Sequence, residues 1–180
     1  MHYIYHKVPE DFQGNTLYPL SMLDQRHPDT YANAVKKYKG REHITRQTIP
    51  LFDDCLWNDV IFFMAVNPID LYAARREAGW PDLPPQQFYK INPDILDKEK
   101  LGVFLFKPKE QFSELTRDDF TAYRQEDIEK YAKVPSETLN YFKSELNNGA
   151  HRIPLFFRYI PHILYHGEID IDHAEIISAN

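Results

Sequence analysis

The sequence predicts an α+β fold: one globular domain over residues 1–180, with a mostly antiparallel or mixed central sheet and flanking helices. Two observations lead to this class. Strand-like and helix-like segments are interspersed along the chain, but the helices are too few for regular βαβ winding. Hydrophobic residues make up 43% of the 180 residues, and the 13 prolines are spread out without a repeat or a Gly/Ser-rich linker. A chain of this length and composition can bury one core.

Proline and glycine punctuate the elements of the first quarter. The segment Tyr3–Val8 alternates as a strand and stops at a proline. Residues 14–23 predict a turn followed by a short apolar segment. The segment Pro28–Lys39 is predicted to be a helix, because it begins with a proline and is followed by a glycine. The alternation in His43–Ile49 predicts a second strand.

The middle of the chain predicts the centre of the sheet. The apolar run Cys55–Phe63 is expected to be the central strand. A helix over Ile69–Ala78 follows a proline and ends at a glycine, and the proline-rich segment Trp80–Pro85 is expected to be a loop. Two further strands are predicted over Gln87–Ile91 and Val103–Phe106.

The last third alternates between helix and strand signals. Residues 108–132 are acidic and broken, with a short helix expected over Glu126–Ala132. The amphipathic segment Ser136–Asn147 predicts a helix that Ser136 or a neighbour caps and that ends at Gly149. Beyond it, the sequence predicts a hairpin through a His-Gly turn and a further edge strand. These strands span Ile160–Tyr165, Glu168–Ile171 and Ala174–Ile177.

Composition excludes several classes of protein. No apolar run approaches the ~20 residues of a membrane span, so no membrane partner is expected. The N-terminus lacks a basic region followed by an apolar one, which predicts no signal peptide. The single cysteine, Cys55, excludes an intramolecular disulfide, and a reducing cytoplasm is the expected location.

The net charge of −6 argues against broad affinity for nucleic acid, although the first half of the chain contains a basic cluster. The cluster is Lys36, Lys37, Lys39, Arg41 and Arg46. A solvated helix end is the favoured interpretation, because cations stabilise a helix C-terminus. A phosphate or nucleic-acid contact is the alternative.

Metal and nucleophile motifs are absent from the sequence, and no metal is expected. The pairs His2/His6 and His162/His166 have a spacing that would suit a metal on a helix, but both pairs lie in segments predicted to be extended, where the two side chains stand ~13 Å apart. Cys55 lies in an apolar run that favours a small buried side chain over a reactive thiolate.

The strongest sign of a site is the triplet Trp57-Asn58-Asp59 within the apolar run Cys55–Phe63. A buried amide or carboxylate costs about 1–3 kcal/mol when it is left unpaired. The triplet is therefore expected either to form an internal network or to point at a ligand. We predict that all three residues lie on or beside the central strand and line the largest concave pocket. Asp59 is the best candidate for a functional carboxylate.

In order along the chain, several segments resemble the ADP-ribosyltransferase superfamily, most closely its DNA-modifying toxin branch, with the RNA 2′-phosphotransferase branch as a cousin. The likeness covers most of the chain in short strings. It departs from the family pattern in Lys7 and Val8, where a small hydroxyl residue is usual, and in the Trp-Asn-Asp triplet. The matching segments are Tyr5-His6, Ile49-Pro50 through Phe62-Phe63, Asn67-Pro68 through Tyr72, and Glu168–Ile171.

The resemblance implies transfer of ADP-ribose from NAD without a metal. It implies that Glu168 is catalytic and holds the nicotinamide ribose, and that His6, in the Tyr5-His6 pair, binds the adenosine ribose. Tyr72 or Trp57 would stack on a base, and Arg41 is a possible phosphate ligand. For this activity, His6 and Glu168 must reach one cleft from neighbouring strands. The structural alternative for His6 is a core histidine bonded to a backbone carbonyl.

Two other functions remain open from the sequence. A non-enzymatic protein could bind a ligand or peptide in an aromatic cleft around Trp57-Asn58-Asp59. A hydrolase could use Asp59, and this would require a histidine within hydrogen-bonding distance of that carboxylate.

Overall fold

The computed structural model describes residues 2–10, 12, 14–108, 115–148 and 154–180. Seven strands form one antiparallel sheet in the order β6-β5-β7-β3-β1-β4-β9, and two short strands, β2 and β8, pair separately. The α+β class predicted from the sequence is confirmed. The strands are β1 Ile4–Lys7, β2 Thr16–Leu17, β3 Val60–Met64, β4 Gln86–Ile91, β5 Leu101–Phe104, β6 Phe120–Ala122, β7 His162–His166, β8 Ile169–Asp170 and β9 Glu175–Ala179.

Short helices surround the sheet. Four 3-10 helices that bear on the site or on its connections span Val35–Tyr38, Glu42–Arg46, Trp57–Asp59 and Gln125–Asp127. None of the described helices is long and apolar enough to cross a membrane. The α-helices are α1 Leu20–Arg26, α2 Pro28–Ala34, α3 Pro68–Glu77, α4 Ile128–Tyr131 and α5 Ser136–Asn147.

Both faces of the sheet are buried. On one face, a cluster that includes Phe63, Val103 and Ile163 packs against α4 and the β2-β8 pair. On the other face, one cluster contains Leu71 of α3 and Phe142 of α5, and a second lies under the chain that precedes β3. Strand alternation explains the division, because successive side chains point to opposite faces.

Most of the predicted elements are confirmed within one to three residues. The helix Ser136–Asn147 has the predicted bounds, and the helix that starts at Pro68 ends one residue before Ala78, its predicted end. The cap prediction is wrong: Pro135 occupies the N-cap, and no side-chain oxygen caps α5. The predicted end of α5 at Gly149 lies outside the described residues.

The predicted strand His43–Ile49 is wrong. Its first part is the 3-10 helix Glu42–Arg46, and only its end makes a bridge, from Thr48 to Leu56. Local side-chain bonds to the backbone explain the difference. The Glu42 carboxylate accepts from the Gly40 N–H at 2.9 Å, and the Thr45 hydroxyl donates to the Glu42 carbonyl at 2.7 Å. Such bonds compete with strand pairing.

The predicted terminal hairpin is also wrong. Strand β7 pairs with β3 on one side and β5 on the other, so neither edge is left for the segment after Gly167. That segment forms β8, which pairs with β2 through Leu17 and Ile169. The predicted edge strand near the end of the chain is confirmed as β9, which pairs with β4.

Helix α1 and strand β6 are among the elements that were not predicted. Helix α1 lies within residues 14–23 and a little beyond, where only a turn and an apolar segment were expected. Strand β6 lies within the acidic stretch 108–132 and pairs with β5. The predicted central strand Cys55–Phe63 begins only at Val60, because Trp57–Asp59 forms a 3-10 turn.

Candidate functional site

A cleft of about 700 Å³ lies between α1, α2 and the three 3-10 helices that follow α2 along the chain. We call it the Asn58 cleft. Its size falls within the range of small-molecule sites, roughly 300–1,000 Å³. It is lined by Leu20, Ser21, Asp24, Tyr31, Val35, Tyr38, Glu42, His43, Thr45, Arg46 and Asn58.

One wall of the cleft is an aromatic and apolar stripe. Tyr31, Val35 and Tyr38 are spaced by four and three residues, so they share one face of α2 and of the 3-10 turn that continues it. All three side chains are half-buried. The structure places their common face on the cleft.

A second wall of the cleft is the 3-10 helix Glu42–Arg46. The Glu42 carboxylate is held by the Gly40 N–H, and this hydrogen bond lowers the pKa of Glu42. The Thr45 hydroxyl is also held, by the Glu42 carbonyl. His43 and Arg46 are exposed beside them. This wall therefore offers both a fixed negative charge and a positive one.

Asn58 lies in the 3-10 turn at the base of the cleft. Its Oδ1 atom is buried and accepts no hydrogen bond from any described residue. Most buried polar atoms in proteins have a partner, and each exception needs an explanation. The other side chains of the triplet do not line the cleft, so Asn58 alone of the three is placed to meet a ligand.

Trp57 and Asp59 do not line the cleft but make contacts that hold the turn carrying Asn58. The Trp57 indole N–H donates to the Tyr38 hydroxyl at 3.2 Å, and its ring packs on Phe62 and Phe104 at centroid distances of 4.7 and 5.3 Å. The Asp59 carboxylate accepts from the Leu56 N–H at 2.8 Å and closes the turn before β3. Both side chains fix the backbone on which Asn58 stands.

Asp59 is not paired with a histidine among the described hydrogen bonds. Its carboxylate accepts a hydrogen bond from the Leu56 backbone N–H. Cys55 lies nearby and is fully buried, and burial, helped by the charge of Asp59, raises the pKa of its thiol to about 12. A thiol with this pKa is inert as a nucleophile.

His6 is bonded to a backbone carbonyl, as the structural alternative predicted. Its Nδ1–H donates to the Phe62 carbonyl at 2.8 Å, because a carbonyl can only accept. Burial lowers the pKa of His6 to about 4, with a smaller contribution from the Lys37 cation. The imidazole is therefore neutral near pH 7.

Glu168 is exposed and lies just before β8, outside the seven-stranded sheet. Strand β1, which carries His6, pairs with β3 and β4. Among the described strands, β1 and β8 are therefore not neighbours, and Glu168 does not begin a strand of the main sheet. The juxtaposition that the transferase resemblance implies for His6 and Glu168 is not seen in the strand pairing.

Tyr5 and Tyr72 lie in the core cluster beneath α3. Burial raises the pKa of both hydroxyls, and the Tyr72 ring packs on Phe156 at 4.6 Å. Neither side chain lines the Asn58 cleft. Their aromatic character is used in packing α3 and β1.

The basic cluster behaves as a helix end. The Arg41 guanidinium donates twice to the Lys37 carbonyl, at 2.9 and 3.3 Å, and the Lys36 ammonium donates to Asn33 at 2.7 Å. Arg41 thus satisfies a terminal carbonyl of the kind that ends a helix. Of the five cations, Arg46 lines the cleft.

Sequence reasoning missed the α1 side of the cleft. Leu20, Ser21 and Asp24 line it from one face of α1. A signal was present, since Pro19 precedes the helix and His27-Pro28 follows it, but seven residues give too short a pattern to identify.

No group of three or more His, Cys, Asp or Glu side chains is placed to hold a metal ion within the part of the chain that the structure describes. Comparisons of this chain with protein-family models, with curated proteins and with solved structures find no match.

Proposed function

We propose that this protein is a non-enzymatic binding protein that takes a small polar ligand in the Asn58 cleft. One observation carries the proposal: the Asn58 Oδ1 atom is buried and has no donor among the described residues. An unpaired buried acceptor costs about 1–3 kcal/mol. The terminal torsion of an asparagine is soft, so the amide can turn and accept a hydrogen bond from a ligand in the cleft.

The walls add two requirements for the ligand. Tyr31, Val35 and Tyr38 offer a half-buried aromatic and apolar surface, which favours a molecule with one apolar face. The Tyr38 hydroxyl accepts from Trp57 and still has its own proton to donate. The ligand is therefore expected to combine an apolar part with hydrogen-bonding groups.

A hydrolase that uses Asp59 has less support. A general base needs a partner or a substrate proton within about 2.6–3.2 Å. The Asp59 carboxylate instead accepts from the Leu56 backbone, and Asp59 does not line the cleft. Its position favours a role in shaping the turn.

The ADP-ribosyltransferase resemblance likewise gains no support from the strand order. His6 is bonded to Phe62, and Glu168 is exposed beside β8. Two carboxylates, Asp24 and Glu42, also line the Asn58 cleft, and they would repel the phosphates of NAD. NAD therefore enters the test of function as one ligand among several.

The proposal is tested by ligand binding to wild-type protein and to Asn58→Leu. Thermal shift would be measured with a panel of amino acids, sugars, nucleotides, NAD and ADP-ribose, followed by calorimetry on each ligand that raises the melting temperature. We expect at least one ligand to bind wild type and to lose at least about tenfold in affinity with Asn58→Leu, because the buried acceptor is removed.

Asn140→Leu is the matched control, since Asn140 is exposed on α5 and does not line the cleft. This variant should bind like wild type. A ligand that binds wild type and Asn58→Leu equally would place the binding site elsewhere. Consumption of NAD that survives Asn58→Leu but not Glu168→Gln would favour the transferase instead.

A further inference from the structure

We propose that the ligand of the Asn58 cleft is a free α-amino acid, recognised as a zwitterion. This inference rests on the proposed binding function and adds the chemical class of the ligand. It is carried by the arrangement of charge around the cleft, which differs from that of a site for a simple anion or a neutral molecule.

Charges of both signs line the cleft without neutralising each other. Asp24 and Glu42 supply carboxylates, and Arg46 supplies a guanidinium. No ion pair within 4.0 Å joins Arg46 to a carboxylate among the described residues. The donors of Arg46 and the acceptors of Asp24 are therefore available to a ligand, and charge-assisted hydrogen bonds are the strongest that such groups make.

The carboxylate of an amino acid matches Arg46. A guanidinium presents planar, paired N–H donors that fit a carboxylate in a bidentate manner. Arg46 stands at the end of the 3-10 helix Glu42–Arg46, next to the Thr45 hydroxyl on the same wall. A carboxylate bound there would meet the guanidinium of Arg46.

The ammonium group matches the acceptors. It has three donors, and the cleft offers the carboxylates of Asp24 and Glu42 and, once the amide has turned, the Asn58 oxygen. Glu42 is held in place by the Gly40 N–H, so its charge is fixed before a ligand arrives. Such preorganisation reduces the entropy that binding loses.

The amino-acid side chain would lie on the stripe of Tyr31, Val35 and Tyr38, with Leu20 nearby. The cleft has two carboxylates and one guanidinium, and this balance of charge disfavours a nucleotide as the ligand. A nucleotide brings at least one phosphate into a cleft whose formal charge is already negative, and like charges disfavour that binding.

The test uses NMR titration of isotope-labelled wild-type protein with each of the twenty L-amino acids, followed by three forms of the tightest ligand. These are the free amino acid, its N-acetyl form and its carboxamide. We expect the free form to shift resonances of Tyr31, Thr45 and Asn58. We expect each capped form to bind at least about tenfold more weakly, because one charged contact is lost.

Variants assign the two ends of the ligand. Arg46→Gln should weaken binding of the free amino acid at least about tenfold but leave its carboxamide unaffected, since the carboxamide lacks the carboxylate. Asp24→Asn should weaken the free form but not the N-acetyl form. Arg124→Gln, an exposed arginine outside the cleft, should bind like wild type.

The outcomes separate this inference from the function on which it rests. Equal binding of the free and capped forms would overturn the amino-acid assignment. So would binding of only a nucleotide or a sugar that is lost in Asn58→Leu. Either result would leave the binding function standing. The absence of binding by every ligand of the panel would overturn both.

Discussion

At the scale of single residues, the neighbours Asp59 and Asn58 affect stability in opposite ways: the Asp59 side chain stabilises the fold, and the Asn58 side chain does not. The Asp59 carboxylate accepts from the Leu56 N–H in the turn before β3. Asp59→Ala removes this acceptor and is expected to lower the free energy of unfolding by about 0.5–2 kcal/mol, the range for comparable side-chain caps. Urea unfolding followed by circular dichroism measures the change, and a variant as stable as wild type would contradict the role.

Asn58→Leu is expected to leave the free energy of unfolding unchanged or to raise it. The buried Oδ1 atom has no partner among the described residues, and replacing an unsatisfied polar group by an apolar one of similar shape is neutral or stabilising. The same urea experiment checks this. A loss as large as that of Asp59→Ala would mean that the Asn58 amide holds the fold together and is not reserved for a ligand.

At the scale of elements, the stability of a helix end depends on a glycine that follows it with a positive φ. Gly79 follows α3 with a φ of 97°, and a Cβ built there would lie 2.8 Å from the Leu146 side chain of α5. Gly79→Ala is therefore expected to lower the free energy of unfolding by more than about 1 kcal/mol, since strain in the left-handed region and a steric contact act together.

Gly40→Ala separates these two causes. Gly40 also has a positive φ, 79°, but a Cβ there would meet nothing within 4 Å. The loss in free energy of unfolding caused by Gly40→Ala should therefore reflect backbone strain alone. It should be smaller than the loss caused by Gly79→Ala when both are measured by thermal and urea unfolding. Equal losses in the two variants would show that the contact with Leu146 is relieved at no cost.

Elements with several local signals could be predicted from the sequence. Helices α3 and α5 combine a proline near the start, apolar spacing and, for α3, a glycine after the end. The strand expected over His43–Ile49 failed because its alternation was weaker than the local hydrogen bonds of Glu42 and Thr45. Periodicity indicates which conformation packing would favour, but not whether a side chain satisfies the backbone first.

The candidate site could be predicted only in part for a similar reason. Trp57-Asn58-Asp59 indicated the location, because polar residues inside an apolar run need partners. The sequence could not show which of the three was unsatisfied. That depended on Tyr38 reaching the Trp57 indole across 19 residues and on the Asp59 carboxylate bonding Leu56. The contribution of Asp24 depended on a seven-residue helix.

At the scale of the whole molecule, strand order is set by contacts that alternation does not encode. Strand β7 separates β5 from β3, and β1 lies between β3 and β4. These strands are far apart in sequence, so each has many partners with an equally suitable apolar pattern. The hairpin predicted after His166 failed here: both edges of β7 are occupied by more distant strands, and burial of two sheet faces outweighs a short local turn.

The same central strands carry two half-buried histidines that link stability to pH. His6 in β1 donates to the Phe62 carbonyl, and His162 in β7 donates to the Ile160 carbonyl at 2.7 Å. Burial lowers the pKa of each imidazole from an ordinary 6.5 to about 4. Between these values the unfolded chain binds more protons than the folded one, so stability is fully present above pH 6.5 and is lost as the pH falls.

We therefore expect the free energy of unfolding to fall between pH 7 and pH 5 by about 2 kcal/mol for each of the two imidazoles. Urea unfolding across this range would measure how the free energy of unfolding changes with pH in wild type and in the double variant His6→Gln/His162→Gln. The double variant should be less stable at pH 7, but its free energy of unfolding should change little with pH. His173→Gln, at an exposed position, should keep the wild-type slope. A double variant as steep as wild type would assign the pH dependence to other groups, and the two carbonyl-bonded histidines would then be protonated without opening the sheet.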